Sequence, residues 1–352
     1  MPAGMTIILF GSVRASPADD VPKYFNGLMR ALRDRGHRPI FYCTDRDTGG
    51  DPGLWAPIGG GRSAILRALE GAAGADMIVQ VGADGNLGDP FAAAVLDMKT
   101  RDNLVVFWDP DPASMLERMS AEPDDRFLAL LPSYDLVLTR GGGGRILAAY
   151  REFGVVDCLP VDEAVDTAVH YPVPLDSRFA ADLAFHGRCL PEIEHRMQEL
   201  FFNAAVQLPH SSFMLAGADW SGRTIPPNVL YLGELEQHDR NALNSSSLAV
   251  LTVSTERALH LQVCPMQQML EAASCGACVV ADTWEGLERF LDLEREVLPA
   301  SDALEVANWL HWLTRERARA IGTAARRRVL ASHTYAHRIE QLERYIGAAA
   351  QG

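Results

Sequence analysis

Short runs that are apolar from end to end, alternating with amphipathic stretches, constrain this chain more than any other feature of its sequence. The runs TIILF at 6–10, PIFYCT at 39–44, MIVQV at 77–81, LVVFW at 104–108 and DLVLT at 135–139 predict strands, and helical spacing fills 21–35, 63–71, 91–99 and 145–153 between and after them. A strand without a polar side must be covered on both faces, which is the condition of a parallel sheet sandwiched by helices. The expectation is α/β, with a doubly wound, Rossmann-like first lobe.

The alternation lapses over 161–182, VDEAVDTAVHYPVPLDSRFAAD, where prolines and charges replace any sustained period, as in an interdomain linker. It then resumes with strands predicted at 183–186, 212–216, 229–232, 248–253, 277–281 and 296–299, a helix over 192–207, and a nearly all-helical tail over 303–349. A chain of 352 residues, 48% of them hydrophobic, can bury two cores. The reading is a first lobe over 1–172, a second over 173–334 and a terminal piece over 335–352. Two open parallel sheets, each with a ligand-binding carboxyl edge, imply two lobes facing a central cleft.

Net charge of -14 supplies no positive field to gather a nucleic-acid backbone, though it leaves room for a local basic pocket holding a small phosphate compound. Apolar runs such as 104–108 and 248–253 fall far short of the roughly 20 residues that span a bilayer, and a strand is reached at residue 6 without a basic, hydrophobic leader. A cytoplasmic protein without transmembrane segments is expected. Cys275 and Cys278 form a lone CxxC with no second pair, so they are expected to pack as small hydrophobes, and no metal site is expected.

Four stretches carry candidate chemistry. In MLEAASCGACVVADTWEGLERF, Glu271 occupies the last turn of an apolar helix that Gly276 can terminate, and both are candidate donor-binding residues. A carboxylate there is disfavoured by the helix dipole and its neighbours, and a sugar diol would compensate it; the alternative is an acid turned to solvent. Downstream, Glu285 and Gly286 sit at an expected helix N-terminus, where free N–H groups can meet an anion or a hydroxyl, or where the acid merely complements the dipole. In DLAFHGRCL, Gly187 lets backbone approach a ligand and Arg188 offers a forked cation for phosphate, or a surface salt bridge. In VVFWDPDPAS, Asp109 and Asp111 each precede a proline at a strand end; either could take a proton from an acceptor hydroxyl, or serve the turn. The glycine runs of TRGGGGRILAAY and PIGGGRSAI fit neither a P-loop nor a dinucleotide fingerprint and read as strand-to-helix turns.

MLEAASCGACVVADTWEGLERFLDLEREVL and RARAIGTAARRRVLASHTYAHR, together with FWDPDPASMLERM, YDLVLTRGGGGRILAAYREFG and RFAADLAFHG, resemble the CgeB-like, spore-maturation type glycosyltransferases of the GT-B fold. The resemblance implies a metal-independent, hexosyltransferase-type enzyme with no cofactor, taking a nucleotide-sugar as co-substrate. Glu271 would grip the nucleotide ribose, Gly187 and Arg188 would lie by the donor diphosphate, and an unknown acceptor would occupy the first lobe. It also implies that the C-terminal helix crosses back to the first lobe, and Tyr335, Ile339, Leu342 and Ile346 independently form an apolar stripe. The chain departs from the family at Thr252, Ser254 and Thr255, at Gln268, where an arginine is usual, and at Cys264, where related enzymes place an acid; Arg257 is the candidate replacement cation. A nucleotide-sugar epimerase on the same scaffold and a catalytically inactive nucleotide-sugar-binding protein are the rival readings.

Overall fold

The computed structural model describes residues 4–12, 21–45, 50–58, 62–82, 88–122, 124–255 and 267–349. The chain divides into two compact units, Met1–Glu163 with Tyr335–Gly352, and Ala164–Thr334.

In the first unit, seven parallel strands run β1 (Thr6–Gly11), β2 (Arg38–Cys43), β3 (Trp55–Pro57), β4 (Met77–Val81), β5 (Leu104–Asp109), β6 (Leu136–Arg140) and β7 (Cys158–Val161), in the spatial order β3-β2-β1-β4-β5-β6-β7. Helices α1 (Val21–Asp34), α2 (Arg62–Gly71), α3 (Gly88–Leu96), α4 (Pro112–Ala121) and α5 (Gly144–Glu152) alternate with them. β4 and β6 are buried at every position, as runs without a polar face require. The two edge strands β3 and β7 were not expected. They are short and carry proline or half-exposed residues, so no apolar run announces them. Trp55 nevertheless ties β3 down by stacking on Phe41 at 4.4 Å between ring centroids.

The second unit repeats the plan with six parallel strands: β8 (Leu183–His186), β9 (Phe213–Ala216), β10 (Val229–Tyr231), β11 (Ala249–Thr252), β12 (Val279–Asp282) and β13 (Leu298–Ala300), in the order β10-β9-β8-β11-β12-β13. Its helices are α6 (Pro191–Met197), α7 (Asn203–Gln207), α8 (Gln237–Ser246), α9 (Gln267–Ser274), α10 (Ala303–Trp312) and α11 (Arg315–Ser332). The helix expected over 192–207 is interrupted by a π turn, Gln198–Phe202. An unbroken 3.6-residue period would turn one of three consecutive apolar residues outward, whereas here Leu200, Phe201 and Phe202 are all buried. The boundary expected at residue 172 lies at 163/164. Val169 O accepts from Asn241 Nδ2 at 2.8 Å and His170 O from Ser274 Oγ at 2.7 Å, so this stretch of the linker is fastened to the second unit.

The C-terminal helix α12 (Tyr335–Ala349) completes the first unit by packing on α1. Tyr335, Ile339, Leu342 and Ile346 are all buried. Gly27 permits the contact: a Cβ there would lie 2.1 Å from the Tyr335 ring. Arg338 donates to the carbonyls of Asp162 and Glu163, and Arg35 and His37 hold Glu343 at 2.6 and 3.0 Å. The Arg35 hydrogen bond, and after it that of His37, holds the Glu343 carboxyl below its ordinary range against the opposing effect of burial. A depressed carboxylate stabilises the fold above its unfolded pKa of roughly 4.3 and loses that contribution as pH falls. Acid titration followed by circular dichroism is expected to show α12 loosening below that pH, and Glu343→Gln to remove this part of the pH dependence. An unchanged acid profile in the variant would place the anchor elsewhere.

Candidate functional site

Both sheets reverse their strand order beside the first strand, at β1/β4 in one unit and at β8/β11 in the other. The crevice outside the carboxyl ends at such a switch point is where open α/β sheets bind ligands. In the first unit the residues that follow β1 and β4, 13–20 and 83–87, lie outside those described. In the second unit most of the crevice is described.

β8 ends in His186 and passes into Gly187 and Arg188. Gly187 is enclosed: a Cβ would come 2.9 Å from the Phe185 ring and 3.2 Å from Gln268 Nε2, so the first turn of α9 reaches the end of β8. Gly217, after β9, has φ +123 and is tighter still, since a Cβ would meet Gly187 O at 2.0 Å. The Gly187 carbonyl is fixed by the Trp220 indole at 2.7 Å, and the Gly217 carbonyl by the Tyr231 hydroxyl at 2.9 Å. Backbone thus approaches backbone at the switch strand with no side chain between. Arg188 rests on Asp219 at 3.2 Å with both side chains largely exposed. Such a surface pair is worth little by itself, and a guanidinium fork suits phosphate oxygens.

Glu271 is buried, 7% exposed, in the second half of α9. Its carboxylate meets His170 Nε2 at 3.2 Å, with both side chains about 10% exposed. His170 is in turn held by Gln237 Nε2 at 3.2 Å on its Nδ1. Among the described residues His170 is the one partner of the Glu271 carboxylate, which leaves acceptor capacity for a hydroxylated ligand.

Other expected site residues have different surroundings. Gly276, at φ +80, closes α9 ahead of β12, at the amino edge of the sheet, where it serves as a helix stop. Glu285 is exposed on the turn after β12, at the carboxyl edge. Gly286 there, at φ +107, opens a three-residue 3-10 turn, Leu287–Arg289, in place of the expected helix N-terminus. Arg257 and Cys264 lie outside the described residues. In the first unit, buried Asp109 accepts from the Tyr150 hydroxyl at 2.6 Å and from Asp111 N at 2.9 Å. Asp111 caps α4, accepting from Ser114 N at 3.1 Å and from Ser114 Oγ at 2.6 Å. These contacts give both acids duties in the turn and at the start of α4. Burial pushes the Cys275 and Cys278 thiols up to about 12, which suits packing rather than metal binding. Among the described residues no three His, Cys, Asp or Glu side chains gather as metal ligands, and no helix is long and apolar enough to cross a membrane.

Residues 195–344 match the family model described as glycosyl transferase-like. No curated protein sequence matches the chain. Solved structures match it nearly end to end. Sucrose-phosphate synthase from Thermosynechococcus elongatus is 16% identical with a TM-score of 0.66, covering 98% of this chain and 100% of its own. Anabaena HepE in complex with UDP-glucose is 13% identical with a TM-score of 0.68 over the same shares. An alpha-glucosyltransferase in complex with UDP-glucose and DNA containing an abasic site is 11% identical with a TM-score of 0.73, again over 98% and 100%. The fold is GT-B.

Within this GT-B chain three contributors to the crevice carry no sequence signal of their own. His170 sits in the linker, 101 residues before Glu271. Arg196 of α6 clamps the buried end of β12 with a fork on Asp282, at 3.1 and 2.6 Å, 86 residues away. Burial raises the Asp282 carboxyl, and the Arg196 and Ser254 N–H hydrogen bonds oppose the shift. That last bond joins the ends of β11 and β12.

Proposed function

We propose that the chain is a glycosyltransferase that binds a nucleotide-sugar in the second unit and passes a hexosyl group to an acceptor bound by the first. The observation that carries this reading is the pairing, on one α9 helix, of a buried carboxylate with spare acceptor capacity and a glutamine that touches the enclosed Gly187 turn. Glu271 would hold the ribose diol, its other face braced by His170. The Gly187 backbone and Arg188 would meet the diphosphate, neutralising the leaving group as it departs. The UDP-glucose bound by Anabaena HepE and by the alpha-glucosyltransferase supports a uridine-linked hexose donor. The quoted motifs support the CgeB-like type within glycosyltransferases and transfer without a metal.

A thermal-stability screen of UDP-, GDP-, dTDP- and ADP-sugars tests this directly, because a ligand that binds only the folded state at 100-fold its Kd stabilises it by about 2.7 kcal/mol. UDP-glucose is expected to raise the melting temperature and to be hydrolysed slowly without acceptor. Arg188→Ala is expected to weaken UDP more than uridine. Equal losses for UDP and uridine would move Arg188 off the diphosphate, and epimerised sugar in place of hydrolysis would favour the epimerase.

A further inference from the structure

A cavity of about 740 Å³ opens at the amino edge of the second sheet, where Leu248 leads into β11 and Ala277 and Cys278 lead into β12. It lies at the opposite strand ends from Gly187 and Arg188, and its volume is that of a small-molecule site. One face of α11 forms its wall: Arg315, Arg319, Thr323 and Arg326 recur at spacings of four, four and three, with Arg327 beside them. Gly322 lets this face approach, since a Cβ there would sit 2.1 Å from Gly276 O. Arg326 donates Nε to Ser274 O at 3.2 Å, at the end of α9.

The arginines of α11 that face elsewhere are engaged. Arg328 pairs with Asp292 at 2.9 Å and Glu296 at 3.3 Å, and Arg317 stacks over Trp312 at 4.7 Å. Among the described residues no carboxylate pairs with Arg315, Arg319 or Arg327, and Glu316 is the one acid on the cavity wall. In a chain with 46 acidic against 32 basic residues, a cluster of arginines left without carboxylate partners around a cavity is unexpected unless an anion neutralises it. The rest of the lining mixes Val173, Leu175 and Leu248 with Asn244, Ser245, Ser246 and Ser247.

We propose that this cavity is a second ligand site, taking an organic phosphate whose phosphate group meets the arginines and whose carbon body lies along Val173, Leu175 and Leu248. Several guanidinium forks suit a phosphate with its multiple acceptor oxygens better than a single carboxylate. The same chemistry is offered by a soluble phosphate ester and by an anionic lipid headgroup. The site is independent of the donor crevice and stands or falls separately.

The test uses the full chain in three forms: wild type, Arg315→Gln with Arg319→Gln, and Arg188→Ala. Each is titrated calorimetrically with glucose 6-phosphate and sedimented with phosphatidylglycerol vesicles against phosphatidylcholine vesicles. Glutamine keeps nearly the helix propensity of arginine, so α11 is expected to survive; Arg327→Gln alone provides a milder variant should the double one fail to fold. At least one probe is expected to bind the wild type and to weaken roughly tenfold or more in the double variant, as the loss of charge-assisted hydrogen bonds requires. Arg188→Ala is expected to bind it as the wild type does. Binding of the soluble ester alone names a metabolite, and binding of the vesicles alone names a headgroup. Absence of binding by both probes, or equal binding by the wild type and the α11 variants, overturns the proposal.

Discussion

Gly217→Ala is expected to destabilise the second unit by about 2–5 kcal/mol and to abolish nucleotide-sugar binding in whatever fraction stays folded. The glycine has φ +123, where a side chain adds strain of about 1–2 kcal/mol. The new methyl would also lie 2.0 Å from the Gly187 carbonyl oxygen and 2.5 Å from its carbon. Neither atom can yield as a flexible side chain would, since the carbonyl is held by Trp220 and the Gly187 N–H by Ala216 O at 2.9 Å. Forcing such an overlap adds about 1–3 kcal/mol. Because Gly187 is the turn of the switch strand, the displacement falls on the proposed diphosphate contact. Urea unfolding of the variant checks it; a loss below about 1 kcal/mol would mean that the turn is more compliant than its packing indicates.

The second large effect concerns α12. Deleting Tyr335–Gly352 removes Tyr335, Ile339, Leu342 and Ile346, each buried to within a few percent, and uncovers the α1 face with Tyr24 and Gly27. Burial of a large apolar side chain contributes about 1.5–3 kcal/mol, so the four together rival the 5–15 kcal/mol that holds a whole domain folded. The truncated chain is expected to lose the first unit while Ala164–Thr334 stays folded, seen as loss of the Trp55 and Trp108 environment with a retained second transition in calorimetry. A first unit that melts as the full chain does would show α12 to be dispensable.

The sequence made the sheets legible because burial on both faces leaves an unmistakable record: β4 and β5 each carry an apolar run with scarcely a polar residue. The same logic hid β3 and β7, whose edge positions ask for no such run. Glu271, Gly187 and the stripe on α12 were readable as local contradictions or periods: an acid on a buried helix, a glycine at a strand end, apolar residues four and three apart. The partners that give those residues meaning were not readable. His170 reaches Glu271 from a stretch that looks like plain linker, and the Arg196–Asp282 fork joins residues 86 apart, a pairing created by the fold and recorded in no local pattern. Asp109 and Asp111 show the converse: Asp-Pro at a strand end is equally the sequence of a proton acceptor and of a turn with a helix cap.

The central claim, that the second unit binds a nucleotide-sugar through Glu271, is tested most directly by titrating UDP-glucose calorimetrically into the wild type and Glu271→Gln. Glutamine keeps an acceptor for His170, so the variant is expected to melt close to the wild type. It loses the charge that would accept the ribose hydroxyls, a change of about 1.5–3 kcal/mol, or roughly tenfold or more in Kd. Binding by the wild type with that loss in the variant is the predicted result; equal affinity in a folded variant, or no heat from the wild type with any of the four nucleotide-sugars, would contradict it.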